Sequence, residues 1–311
     1  MEKLLVYYPI ESHMHKGFPI FAERRSRLLA VEEALEQLDL DTEESGPAFL
    51  MDITAAHDVD YVSHVEALSK MGLIRATWTN LTSKYLQWYT RVSPGSYTAA
   101  LYAAGAVIQA VKDVMEGKTK RAFCAVRPPG HHAGPARGEG FCLFNNVAIG
   151  ALYAIRCGAK RVAIVDFDRH HGNGTEAIVR KKDDWKIAFI SSYQEGCEYA
   201  EGEHKSWSPL IPIPEHASGD EVLQIYRSKV IPQLRAFHPD LILLSAGFDM
   251  HKKDPLTNIK MESSDYYLLT KMLVDVAEEA CNGRIVSVLE GGYKLKPLTE
   301  CVNNHLQALL V

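Results

Sequence analysis

Short apolar runs alternate along this chain with longer stretches in which apolar residues return every third or fourth position. The runs are KLLVYY (3–8), RAFCAV (121–126), RVAIV (161–165), KIAFIS (186–191), LILLS (241–245) and RIVSVL (284–289). None alternates cleanly between apolar and polar, the pattern of strands covered on both faces. Between them lie helical stretches. YTAALYAAGAVIQAVKDVMEG has Ser96 as its expected cap and stops at Gly117, and NNVAIGALYAIRCG stops at Gly158. SGDEVLQIYRSKVIPQLRAF and SSDYYLLTKMLVDVAEEACNG each open on a polar cap. Strands alternating with helices over short connections predict an α/β fold, a mainly parallel sheet with helices on both faces. Residues 72–91 are less regular and predict an excursion or surface loops. No repeat, low-complexity tract or linker divides the chain, so one domain over residues 1–311 is expected.

Polar residues concentrate just past the carboxyl ends of five of these runs. RPPGHHAG follows the second, DFDRHHGNGT the third, SYQEG the fourth, AGFDMHKKDP the fifth and EGGYKL the sixth. In open parallel sheets that edge is where ligand crevices form. Extended backbone puts alternate residues on one side, so Asp166, Asp168 and His170 point one way and Phe167, Arg169 and His171 the other. Two carboxylates and an imidazole facing one spot need a cation. Asp249, from another strand end, completes a set of Asp168, His170 and Asp249 with an open position, as a catalytic zinc requires. Asp166 is left as an acceptor that orients an imidazole. The glycines of HHGNGT match neither GxxxxGK[ST] nor GxGxxG, which argues against a phosphate loop. The bland alternative, an ion-pair cluster that only orders the sheet edge, weakens once GHH, GFD and EGGY are set beside it.

Bulk properties narrow the function classes. A net charge of −5 and a pI near 6.2 provide no basic field for nucleic acid. The apolar run LLVYY is ended by Pro9, too short to span a membrane, and no small-residue cleavage site follows. Six scattered cysteines without a CxxC pair read as reduced thiols of a cytoplasmic protein and exclude a zinc ribbon. Any metal must therefore be held by histidines and carboxylates.

RPPGHHAG, GFCLFNN, VDFDRHHGNGT, SAGFDMHKKDP and EGGY, in that order, resemble the zinc-dependent histone deacetylase and acetylpolyamine amidohydrolase superfamily, with matching pieces from about His13 to Tyr293. The resemblance implies an arginase-like domain with an eight-stranded parallel sheet. It implies one zinc on Asp168, His170 and Asp249, with His131 and His132 beside the attacking water. It pairs His131 with Asp166 and His132 with Asn173, and gives Tyr293 the substrate carbonyl. Phe141, with Gly140 before it, would line a narrow tunnel for the acylated side chain. A structural monovalent cation, K+, would lie near the backbone of Asp166–His170 and Ser191. The implied reaction is hydrolysis of the N-acetyl amide of lysine or a lysine-like amine. The alternative substrate is an acetylpolyamine or another small acylated amine. A homo-oligomer is left open.

Departures from the family pattern bear on the substrate. Where relatives carry an acidic residue that grips substrate, this chain has Trp88 and Tyr89 in LQWYTRVSPGS. Tyr193 stands at the usual histidine position, which leaves the second tunnel wall to a residue such as Tyr199. Leu256 stands where polyamine-selective relatives can carry Glu, which favours acyl-lysine-like substrates. A binuclear ureohydrolase needs a carboxylate two residues after the ligand histidine, and that position is Gly172. A catalytically dead binding module is opposed by intact His131, His132 and Tyr293.

Overall fold

The computed structural model describes residues 3–17, 22–72, 79, 82–182, 185–199 and 209–311. Seven strands build one sheet: β1 Leu4–Tyr7, β2 Arg121–Cys124, β3 Val162–Asp166, β4 Ile187–Gln194, β5 Leu210–Ile213, β6 Leu241–Ala246 and β7 Ile285–Leu289. Their order is β1-β2-β7-β6-β3-β4-β5, and every pairing is parallel. The expectation of eight strands is corrected to seven among the described residues. All six apolar runs became strands. The seventh, LIPI, contains Pro212, whose missing N–H is tolerated because β5 is an edge strand paired only with β4.

Alternate strand residues feed two cores. Leu4, Val6, Phe123, Val165, Leu244 and Ile285 face one layer, covered by α1 (Ser26–Gln37), α7 (Gly219–Ile225), α8 (Ile231–Phe237), α9 (Ser263–Cys281) and α10 (Leu295–Leu309). Leu5, Tyr7, Cys124, Ile164, Leu243 and Val288 face the other, covered mainly by α4 (Ser96–Met115) and α5 (Asn146–Arg156). Burial on both faces explains why the runs carry no in-and-out polarity. Outside this second layer, α2 (Leu50–Ala56) and α3 (Val59–Ser69) pack with α4 and α5 in a third core. A further α-helix, α6 (Asn173–Lys182), follows the polar motif after β3.

Two helix expectations change. Ser96 is the first residue of α4 rather than its cap; its hydroxyl bonds His15 Nδ1 at 2.8 Å and Ser93. The stretch 219–237 is broken by a π turn, Tyr226–Val230, just before Pro232, which cannot donate an intrahelical hydrogen bond. Part of the irregular segment 72–91 lies outside the described residues; 82–91 contains turns and no helix. Among the described residues no helix is long and apolar enough to cross a membrane, and all six cysteines are free thiols.

Candidate active site

β2, β7, β6 and β3 are four consecutive strands at the centre of the sheet, and their carboxyl ends deliver nearly all the residues singled out above. Asp166 ends β3, and its Oδ1 accepts the Asp168 N–H at 3.0 Å, curling the chain so that Asp168 and His170 follow on one side. Asp168 Oδ1 accepts the His170 N–H at 2.9 Å. Asp249 arrives from the loop after β6, and its Oδ1 accepts the Arg169 N–H at 2.8 Å. Ligand atoms of Asp168, His170 and Asp249 lie within 4.8 Å of one another.

His170 Nδ1 lies 3.0 Å from Asp168 Oδ1 and 3.2 Å from Asp249 Oδ2. Both carboxylates are buried, and among the described residues Asp249 Oδ2 has no hydrogen-bond partner. A bare buried carboxylate oxygen facing a second carboxylate is costly unless a cation joins them. Burial first, and then the Asp168 charge, push the Asp249 carboxyl above the usual range. Burial acts the same way on Asp168, but His131 and His170 overcome it and hold that carboxyl low. Gly291 completes the cradle. Its N–H donates to Asp168 Oδ2 at 2.9 Å, and a Cβ there would strike both Asp168 Oδ2 and Asp249 Oδ2. Two carboxylate oxygens, one of them without a partner, and one imidazole nitrogen fit a zinc ion with an open position.

The tandem histidines stand beside this set in opposite states. His131 Nδ1 meets Asp166 Oδ2 at 3.0 Å, and its Nε2 is 3.8 Å from Asp168 Oδ1. Burial lowers its basicity, but the charges of Asp168 and Asp166 outweigh this and push it up to about 10. His132 Nδ1 meets Asn173 Oδ1 at 2.7 Å, so Asn173 accepts the ring proton and leaves the Nε2 lone pair free. Burial, followed by the neighbouring His131 and His170, holds His132 well below the usual histidine range. The two rings are 4.0 Å apart between centroids. A charged and a neutral imidazole side by side form an acid and a base.

The open side is a cavity of about 380 Å³, lined by His132, Gly140, Phe141, His170, Leu256 and Tyr293 among others. Gly140 has φ +52°, and a Cβ there would run into the His132 ring, so this position requires glycine. Tyr293 is buried, its ring 5.1 Å under the Arg27 guanidinium, and among the described residues its hydroxyl has no hydrogen-bond partner. Trp88 and Tyr89 reach the rim, with Trp88 61% exposed. Ser191 Oγ bonds His171 Nδ1 at 2.9 Å beneath the motif. Gly172 is packed against Asp166 Oδ2 and Phe189, so no side chain fits where a second metal would need a carboxylate.

Residues 21–309 match the histone deacetylase domain. The chain belongs to the histone deacetylase family. This deacetylase is 35% identical over 297 residues to a probable deacetylase of Archaeoglobus fulgidus, covering 91% of this chain and 79% of the other. It is 43% identical over 244 residues to type-2 histone deacetylase 2 of Dictyostelium discoideum, covering 71% of this chain but only 14% of that longer protein. The crystal structure of the HDA15 HD domain superposes with a TM-score of 0.87 at 28% identity, covering all of this chain and 90% of the other. The family's enzymes are zinc-dependent, and this member is a hydrolytic deacetylase.

Several residues of this deacetylase site were not singled out from sequence. Asp254 Oδ2 accepts the Tyr293 N–H at 2.7 Å and its Oδ1 the Leu256 N–H at 3.0 Å, joining two residues of the cavity wall. Glu290 Oε2 accepts the N–H groups of Gly130 and His131 at 2.7 and 3.1 Å, which fixes the loop carrying both histidines. Gln87 Oε1 accepts from Gly140 N and Tyr199 Oη, both at 3.0 Å, and the Tyr199 ring lies 4.3 Å from that of His132. Asp254 sits in a DP turn and Glu290 opens EGGY, two usable signals. Gln87 carried none. Alternation turned Arg169 away from the site, yet its long side chain returns to the cavity wall.

Proposed function

We propose that the chain hydrolyses the N-acetyl amide of lysine or a lysine-like amine, with one zinc held by Asp168, His170 and Asp249. The supporting observation is that His170, His132 and Tyr293 line one cavity, with the carboxylates of Asp168 and Asp249 buried against His170 and the Nε2 of His132 left neutral. When bound, the ion supplies Lewis acidity, which polarises a carbonyl and lowers the pKa of a coordinated water to about 7. His132 Nε2 takes a proton from the water as its oxygen adds to the amide carbon. The Tyr293 hydroxyl donates to the carbonyl oxygen as negative charge develops there. His131, kept protonated by Asp166 and Asp168, supplies positive charge beside the reaction. The leaving nitrogen receives its proton from the histidine pair, and acetate and the free amine depart. Phe141, Gly140 and Leu256 exclude water around the stem of the substrate.

The same reading places a monovalent cation near the Asp166–His170 backbone beside Ser191, and the protein in the cytoplasm as a single domain. Release of a fluorophore from an acetyl-lysine amide tests the chemistry. Activity should vanish with a chelator and return with stoichiometric zinc. Full turnover after exhaustive metal stripping would refute the assignment.

A further inference from the structure

Arg169 stands between two proposed metal ligands in the chain's order, and the mechanism above gives it no task. Its backbone is fixed on both sides: its N–H donates to Asp249 Oδ1 at 2.8 Å, and its carbonyl accepts from Gln194 N at 2.8 Å. Its side chain is half-buried in the wall of the reaction cavity, in company with Gly196, Cys197, Glu198 and Leu256. Nε donates to Gln194 Oε1 at 3.2 Å, and that oxygen is itself anchored by the Asn258 N–H at 2.9 Å. Nη1 points at His170 Nε2 from 2.9 Å. Among the described residues Nη2 donates to nothing, and no carboxylate pairs with the guanidinium.

Nη2 is therefore unused among the described residues, Nη1 has only His170 Nε2 beside it, and Nε is tied down. His170 turns Nδ1 toward Asp168 and Asp249. With Nδ1 serving as a ligand atom, a neutral ring carries its proton on Nε2 and offers Nη1 no lone pair. Both η nitrogens then lack an acceptor. A planar guanidinium with one edge open matches a carboxylate bidentately. Because the guanidinium lies across the His170 ring from the carboxylate set, it reaches the part of the substrate remote from the scissile carbonyl. That part is the amine side, which leads toward the rim at Trp88 and Glu198.

We propose that Arg169 makes this deacetylase selective for acylated amines that carry a carboxylate on the amine side. The inference rests on the amidohydrolase reading above and narrows its substrate class. The carboxylate can be the α-carboxylate of a free N-acyl amino acid or the side chain of an acidic residue next to an acyl-lysine. A polycationic amine is opposed by the same guanidinium. Glu198, exposed at the rim, works against the incoming anion, but solvent screens its charge.

The test compares kcat/KM for Nα-benzoyl-Nε-acetyl-lysine and its carboxamide, which differ by one charge. A second pair, amidated peptides with Glu or Gln after the acetyl-lysine, separates the two sources of carboxylate. Zinc-loaded wild type is expected to prefer the acid of at least one pair by about 10- to 100-fold, the size of one charged hydrogen-bonded contact, mainly through KM. Arg169→Gln should bring that ratio near one, Arg169→Glu below one, and Glu198→Gln should raise it. Should Arg169→Gln fail to fold, Arg169→Lys, which keeps the charge but loses the fork, should give an intermediate ratio. Calorimetric binding of the same pairs to zinc-loaded Tyr293→Phe reads the preference as a ratio of Kd values without turnover. Ratios near one in wild type for both pairs, or unchanged in Arg169→Gln, would overturn the proposal. If wild type releases no acetate from any of the four compounds, the amidohydrolase reading fails, and the Kd ratios still decide the role of Arg169.

Discussion

Substituting Gly291 by alanine tests the metal cradle without removing a ligand. Gly291 does not have a positive φ, so alanine is not opposed there by backbone conformation and acts through space alone. Its Cβ would lie 2.6 Å from Asp249 Oδ2 and closer still to Asp168 Oδ2. An ordinary contact begins near 3.4 Å, so the Asp249 oxygen must retreat by about 0.8 Å and the Asp168 oxygen by more. Metal–ligand distances tolerate about 0.2 Å. Two of three ligands are thus displaced beyond tolerance. Changes that merely disturb ligand orientation cost about 10- to 100-fold in affinity, and this one should reach the upper figure or beyond. A hundredfold loss corresponds to about 2.7 kcal/mol.

Competition against a chromophoric chelator measures that loss directly. A second readout is thermal. Zinc at about 1,000 times the wild-type Kd stabilises the fold by about 4.1 kcal/mol, and at the same concentration the variant would keep only about 1.4 kcal/mol. The zinc-dependent rise in Tm should shrink by about 5 °C. Using the zinc-dependent increment removes any general destabilisation by the extra methyl group. A Gly291→Ala protein that binds one zinc within threefold of the wild-type affinity would show that these carboxylates do not hold the ion.

Much of this architecture was legible because burial on both faces leaves an unmistakable apolar run, and six of the seven strands among the described residues carried one. β5 escaped because Pro212 breaks the pattern, and only its edge position makes the residue acceptable. Asp168, His170 and Asp249 were legible for a related reason. Strand ends convert sequence spacing into direction, and loops after adjacent parallel strands must converge. Gln87 was not legible, since it lies in an irregular segment and acts on Gly140 and Tyr199, which are distant in sequence. Arg169 shows where alternation misleads. The rule fixes where the Cβ points, whereas a long side chain can fold back along a neighbour, here His170. The different states of His131 and His132 were also beyond the sequence, for they follow from which ring lies nearer Asp166 and Asp168.

Tyr293→Phe should lower kcat by about 10²- to 10³-fold, the effect of losing one oxyanion donor, while zinc stoichiometry stays at one; normal turnover would refute the carbonyl-binding role. Asp166→Asn removes one of the charges that hold His131 protonated up to about pH 10, so the alkaline limb of kcat should move to lower pH; an unmoved limb would separate His131 from the rate. Asn173→Asp acts on the other histidine and on the opposite limb. His132 must be neutral to accept a proton, and burial first, then the neighbouring charge of His131, keep it neutral well below the usual histidine range. The wild-type acidic limb of kcat/KM therefore lies at low pH. A carboxylate at 173, in the place of an amide oxygen 2.7 Å from Nδ1, favours the imidazolium. It raises the pKa of His132, so a larger fraction of the enzyme is protonated and idle at any given acidic pH. The acidic limb should shift toward alkaline pH without loss of bound zinc, and a profile that superposes on wild type would exclude His132 as the base.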